Sequence, residues 1–524
     1  MIKYDIKQLT LEEKIGQLFM FGFDATELNN HAIKLIKDYK IGNVILFTRN
    51  AKSPEQLFKL NQNLQKLAQE HIGVPLFIGI DQEGGMVTRI HKGGTFFPGA
   101  MTIAASNKLE NAYLTGKHMG IELKHFGINM NFAPVLDVNN NPKNPVIGVR
   151  SYSDDPKMVS LYGAAFIEGL QESVIATGKH FPGHGDTYVD SHLALPRVTY
   201  GMDRLNQVEL VPFRHAIHKG IKAFMSSHID FPALTENGLP TTLSKKCMTG
   251  FLREKLGFEG LIVTDGMQMK AIQDNYTTVG GALMAIEAGA NIVCICHSEE
   301  LQIAGTKRIY EAIENKELSV DIVNERVARI LKFKSELDEI NPNLEYKEIK
   351  NIVENEKTRQ FSYQVVRDAA TLVKGDALKL KKNVLFIGVL PKATTIADEV
   401  DGEHQLIKEI KKDLPLLDTM VLSINPDHDE IEKIVKKSEQ YEQIILTTYN
   451  ANIYQSQIDL VNRLAQKDCE LHVISMRNPY DLYYTKQIKN YVCLYEYTPN
   501  SIQVLLNYLK GNISLRGKLP VHYE

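Results

Sequence analysis

Eight short apolar runs recur up to about residue 300, each separated from the next by a stretch of helical periodicity. They span 17–23, 42–47, 76–81, 128–136, 174–180, 223–228, 261–265 and 291–296. Most are dense in β-branched and other apolar residues without strict alternation, the pattern of parallel strands covered on both faces. The intervening helices have readable starts. Thr10-Leu-Glu-Glu13 is a capping box, and Ser53-Pro-Glu-Gln56 combines a cap, a first-turn proline and a capping glutamine. Asp155-Pro156 opens another helix, and Leu243-Ser244 precedes one running to Gly257. Eight strands alternating with helices predict an α/β chain whose first part is a (β/α)8 TIM-type barrel. A doubly wound open sheet is the alternative, but no glycine-rich dinucleotide fingerprint follows the first strand.

A chain of 524 residues is long for one domain. Residues 1–340 are assigned to the barrel with an exit helix at 320–337, and 341–358 to a charged linker. Residues 359–524 form a smaller three-layer α/β sandwich, with strands expected at 384–389, 419–424, 443–448, 471–476 and 492–497. Its helices are expected at 430–441 and 455–467. The apolar fraction of 44% and net charge of −3 fit a soluble globular protein with neither nucleic acid nor membrane as partner. The N-terminus lacks the basic start and long apolar centre of a signal peptide, and the run 15–23 is too short to span a bilayer, so a cytoplasmic location is expected. Five scattered cysteines suggest no disulfide framework. Cys294-Ile-Cys-His297 lies in an apparent buried strand without a second ligand pair, which argues against zinc.

The chemistry concentrates at the ends of the apolar runs, where barrel loops build active sites. The fifth run ends in Gly178-Lys-His-Phe-Pro-Gly-His-Gly-Asp-Thr187, followed by Asp190-Ser-His192. A stable core does not call for such a cluster of ionisable groups. Asp190 lies two residues from His192, on the same face of an extended segment, so the carboxylate can orient and charge an imidazole suited to general acid/base work. The bland alternative is a loop-stabilising hydrogen bond. Asp265 ends the seventh run and would serve as a nucleophile toward an anomeric carbon, or merely cap the next helix. Lys179 and His180 can bind hydroxyls or pair as structural groups. Asp81 and Arg150 suit a sugar, the first accepting from two hydroxyls and the second offering a planar fork, with a mutual ion pair as the alternative. Arg89 lies further into its loop. His184, Asp186 and Thr187 read as a tight turn with hydrogen bonds inside the loop. His180, His184, His192, Asp186 and Asp190 could instead hold a divalent metal, but the adjacent lysine would repel it.

These strings together resemble glycoside hydrolase family 3, in its bacterial β-N-acetylglucosaminidase branch. The resemblance is carried by Ile78-Gly-Ile-Asp-Gln-Glu-Gly-Gly85, Asn131-Phe-Ala-Pro-Val-Leu-Asp137, Ile147-Gly-Val-Arg-Ser151, the Lys179–Thr187 string with its Asp190-Ser-His192 tail, and Val263-Thr-Asp-Gly-Met-Gln-Met-Lys270. It implies a barrel and retaining hydrolysis of terminal β-linked N-acetylglucosamine, without metal or organic cofactor. It implies Asp265 as nucleophile, His192 as acid/base paired with Asp190, and Asp81, Arg89, Arg150, Lys179 and His180 as sugar-binding residues. The implied substrate is N-acetylglucosamine linked to N-acetylmuramic acid or its muropeptides, a small carbohydrate from cell-wall recycling. A histidine repels an incoming anion less than a glutamate does, so phosphate in place of water, and hence a phosphorylase, is the alternative. A metal-dependent hydrolase and a non-catalytic sugar-binding barrel are further alternatives. The adjacent pairs Asp338-Glu339 and Asp398-Glu399 lie outside the strand ends and are rejected as catalytic.

Overall fold

In the computed structural model, the eight runs close into one parallel barrel. The structure describes residues 3–188, 195–236, 238–338, 341, 343–393, 405–485 and 487–523. The barrel strands are β1 (Phe19–Phe21), β2 (Asn43–Leu46), β3 (Phe77–Ile80), β4 (Met130–Asn131), β5 (Ile175–Phe181), β6 (Ala223–Ser226), β7 (Leu261–Gly266) and β8 (Ile292–Ile295). β1 pairs with β8 at Met20 and Cys294, which completes the ring. The strands are buried on both faces, inward against one another and outward against the helices, which is why they read as continuous apolar runs.

The predicted helix starts are present. Thr10 caps the helix Leu11–Gln17 in a reciprocal box with Glu13, Ser53 caps Pro54–His71 with Gln56, and Asp155 caps Pro156–Leu170. The segment after Ser244 winds as Lys246–Lys255 with the wider π-helical hydrogen bonding. The expected first strand began at Gln17, but that residue ends a helix, since the capping box sets the helix in motion only seven residues earlier. The long fourth run also shortens, to two residues. Pro134 has no N–H for the ladder, although Leu136 and Lys179 still tie the segment to β5 through Leu136 N to Lys179 O at 2.7 Å.

Below the barrel, the exit helix Val320–Lys334 ends in a buried lysine. Lys334 Nζ donates to Gln17 Oε1 at 2.7 Å and Gly42 O at 2.6 Å, closing the floor, and burial holds its pKa well below the ordinary lysine range. The helices Tyr346–Val353 and Glu356–Ala369 lead onward. Val365 of the latter packs in the barrel core, and Val366 and Ala369 pack in the second core.

The second core surrounds a six-stranded sheet in the order β11-β10-β12-β13-β14-β9. Its strands are β9 (Thr371–Lys374), β10 (Val384–Val389), β11 (Asp418–Leu422), β12 (Gln443–Thr448), β13 (Glu470–Ser475) and β14 (Asn490–Cys493). All pair in parallel except β9, which runs antiparallel to β14 at the edge. Helices His428–Ser438 and Gln455–Leu464 are among those covering it. The sequence reading lacked β9, and it placed the last strand at 492–497. The chain instead leaves the sheet after Cys493, toward the barrel. Among the described residues, no helix is long and apolar enough to cross a membrane.

Candidate active site

The loop after β3 turns back on itself at Gly84-Gly85, with φ of 90° and 56°, and Glu83 N and Gly84 N both donate to Val87 O. Positive φ at both positions suits glycine. The turn drives Glu83 into the interior instead of outward. The loop after β4 carries Arg150, and β5 carries Lys179 and His180. Gly185 lies where a Cβ would stand 1.7 Å from Val138 O, so the β5 loop presses directly on the β4 loop.

A buried chain of charges results. Lys179 Nζ contacts Asp81 Oδ1 at 2.6 Å and Glu83 Oε1 at 2.7 Å. Arg150 grips Glu83 with two parallel bonds, Nε to Oε2 at 2.9 Å and Nη2 to Oε1 at 2.8 Å. The expected alternative of a direct Asp81–Arg150 pair is therefore corrected. Glu83 lies between them, because the Gly84-Gly85 turn brings it nearer to the guanidinium. Burial alone would raise the Glu83 pKa, but Arg150 and Lys179 hold it well below the usual carboxylate range.

A second carboxylate orients the histidines. Asp137 Oδ2 accepts from His180 Nδ1 at 2.7 Å, while Oδ1 accepts from the backbone N–H of His180 at 3.0 Å and of His184 at 2.7 Å. Burial opposes its charge, but His180 and these bonds bring its pKa below the usual value. With Nδ1 of His180 held by Asp137, Nε2 is the ring nitrogen left for a ligand. His184 is wholly buried and its Nδ1 meets Thr187 Oγ1 at 2.9 Å. Burial, then the neighbouring His180, lowers its pKa to about 4, so it is neutral at physiological pH. Thr187 thus bonds inside its loop as expected, whereas Asp186 reaches out to the Tyr200 hydroxyl.

Asp265 ends β7 on the same mouth of the barrel, half-buried, with Oδ1 accepting from Gly266 N at 2.7 Å. A cleft of about 710 Å³ is lined by Asp81, Arg89, Arg150, Lys179, His180 and Asp265. Six residues named from sequence therefore share one cavity of sugar size. Arg89 sits at its side, 4% exposed, its backbone N–H bound to Gln82 Oε1 at 2.8 Å. Asp190 and His192 lie outside the described residues. Sequence reasoning passed over Glu83 as a partner. The available signal was charge balance, since two buried cations, Lys179 and Arg150, cannot be matched by Asp81 alone.

Among the described residues, no three His, Cys, Asp or Glu side chains converge as a metal cage. Cys294 and Cys296 also line the cleft. Burial pushes both thiols up, Cys296 to about 12, so neither is an activated thiolate.

Residues 10–333 match the glycosyl hydrolase family 3 N terminal domain. Beta-hexosaminidase A of Pseudoalteromonas piscicida is 35% identical over 468 residues, covering 81% of this chain and 77% of that protein. A beta-hexosaminidase of Nitrosomonas eutropha is 34% identical over 267 residues, covering 50% of this chain and 75% of its own. The structure of a glycoside hydrolase family 3 beta-N-acetylglucosaminidase from Paenibacillus sp. str. FPU-7 superposes with a TM-score of 0.89 at 37% identity, over 98% of this chain and 99% of that one. What the barrel, its charged cleft and these likenesses define is an enzyme that hydrolyses glycosidic bonds. The chain belongs to glycoside hydrolase family 3.

Proposed function

We propose that the protein is a retaining exo-β-N-acetylglucosaminidase that releases terminal β-linked N-acetylglucosamine from peptidoglycan-derived fragments. The observation that carries this reading is the placement of Asp265 in one sugar-sized cleft with Asp81, Arg150, Lys179 and His180. The names of its relatives support the choice of aminosugar. In the first step an Asp265 oxygen attacks the anomeric carbon while His192, paired with Asp190, gives its proton to the departing glycosidic oxygen. In the second, His192 takes a proton from water, whose oxygen displaces Asp265 and restores the β configuration. Lys179 and Arg150 donate to the sugar's oxygens, and Asp81 and His180 Nε2 accept from its hydroxyls. Arg89 completes the polar wall. Glu83 holds both cations oriented before substrate arrives.

The test is a mechanism-based 5-fluoro N-acetylglucosamine analogue followed by proteolysis. The label is expected on the peptide 263–270; a label elsewhere refutes Asp265 as nucleophile. A product assay with and without phosphate distinguishes free sugar from sugar phosphate, and free sugar is expected under both conditions. Five free thiols fit a reducing, cytoplasmic setting for fragment recycling.

A further inference from the structure

The C-terminal ends of the second sheet point at the barrel. After β14 the chain runs Leu494-Tyr-Glu496-Tyr497, and Glu496 is 1% exposed. Its Oε2 accepts from Gly99 N at 3.0 Å and Thr102 Oγ1 at 2.7 Å, and its Oε1 accepts from Thr498 Oγ1 at 2.7 Å. Gly99 and Thr102 belong to the cap and first turn of the helix Ala100–Ala105, where the loop that carries Glu83 ends. Within that loop, Met86 Sδ accepts from Tyr497 N at 3.1 Å. A Cβ on Gly85 would stand 3.4 Å from Glu496 Oε2.

The loop that carries Arg150 is held from the same side. Gly148 has φ of 48°, and a Cβ there would stand 2.7 Å from Asn478 Oδ1. Gly148 N donates to Asn139 Oδ1 at 3.0 Å, and Asn139 Nδ2 donates to Tyr480 OH at 2.8 Å. Met86 and Val149, close to Glu83 and Arg150 in sequence, pack in the second sheet's apolar core. A crevice of only about 10 Å³ remains between Glu83 and Arg150 on one side and Tyr495 and Glu496 on the other. There is room for one water at most.

We propose that the second sheet is a positioning element of the sugar pocket, with Glu496 as its principal positioning residue. It joins the two loops to one rigid body, so that Glu83, Arg150 and Lys179 meet the sugar already arranged. The inference rests on the reading of the cleft as a sugar site. Without the joint, the loops sample other arrangements, and binding must first restore the competent one.

The experiment compares the full-length wild type with Glu496→Ala, Glu496→Gln and Tyr491→Phe. Calorimetry measures the affinity for N-acetylglucosamine, and an aryl β-N-acetylglucosaminide with a small aglycone gives kcat and KM. Tyr491→Phe removes a hydrogen bond to Asp481 inside the second sheet and serves as the control for general loosening. Glu496→Ala is expected to weaken sugar binding and raise KM about fivefold or more, with a smaller change in kcat. Glu496→Gln keeps the size and one acceptor oxygen, so it is expected to fold and to show part of the loss. Tyr491→Phe is expected to lower the melting temperature and leave KM unchanged. In a cycle, Glu83→Gln combined with Glu496→Gln should bind the sugar no more weakly than Glu83→Gln alone, because both act through one pair.

Wild-type KM and sugar affinity in folded Glu496→Ala, or in Glu496→Gln if the alanine variant does not fold, would overturn the proposal. So would a KM in Tyr491→Phe raised as much as in the Glu496 variants. A wild type that neither binds N-acetylglucosamine nor cleaves its glycosides would remove the reading of the cleft, and the positioning role with it.

Discussion

The barrel and the largely parallel second sheet both carry acidic residues beyond the C-terminal ends of their parallel strands, and the two sets are handled in opposite ways. In the barrel, Glu83 and Asp137 are buried with cations or imidazole against them, and both have pKa values below the usual range. In the second sheet, Asp481 and Glu496 are equally buried but meet hydroxyls and a backbone N–H. Burial raises both, Asp481 to about 6. The same architecture therefore sets acids against charged partners at one mouth and against uncharged donors at the other. Acids paired with cations lie where a polar ligand enters, whereas Glu496, met by hydroxyls and a backbone N–H, fastens the second sheet to the barrel loop.

The contrast can be broken most decisively at the barrel mouth. Asp265→Asn is expected to lower kcat about a thousandfold or more with the fold intact, read by turnover of an aryl N-acetylglucosaminide alongside circular dichroism. Next comes the charge chain. Glu83→Gln leaves Lys179 and Arg150 short of one negative charge, and should cost about 3–5 kcal/mol in denaturant unfolding at neutral pH. The folded pKa of Glu83 is depressed, so its contribution is present above the unfolded carboxylate value and lost as the pH falls toward the folded one. The gap between wild type and Glu83→Gln should accordingly narrow in acid.

Asp481 should show the reverse slope. Its pKa rises from 3.8 to about 6 on folding, so its contribution is full below 3.8 and fades as the pH climbs through 6. Relative to Asp481→Asn, the wild type should lose about 3 kcal/mol across that window and then level off. Parallel pH profiles for the two variants would erase the distinction between the sheets. The smallest effect is steric. Gly85→Ala must hold φ of 56° with its Cβ 2.9 Å from Gly99 Cα, and should destabilise by about 2 kcal/mol, read as a lower melting temperature.

The barrel was legible because parallel strands hidden on both faces must be apolar throughout, and caps such as Thr10, Ser53 and Asp155 mark the helices between them. β4 was overestimated because apolar composition alone does not register a missing ladder donor at Pro134. β9 was invisible for another reason. It is four residues long, three of them only half-buried, and its partner lies at the far end of the sheet's sequence. In the site, Asp81, Arg150, Lys179, His180 and Asp265 could be gathered on one mouth because each lies at the C-terminal end of a strand or in the loop after it. Which acid meets which cation could not be read that way, since it depends on the backbone path at Gly84-Gly85. Glu83 was assigned no role in the sequence because only that path brings it inside.

The edge position of β9 has a consequence for biogenesis. It is the first strand of its sheet in sequence, and among the described residues it pairs only with β14, the last. A nascent chain that has not yet delivered residues 490–493 thus holds β9 without its β14 partner. An arrested chain of that length is expected to present a bare strand edge, and chaperone capture should peak there.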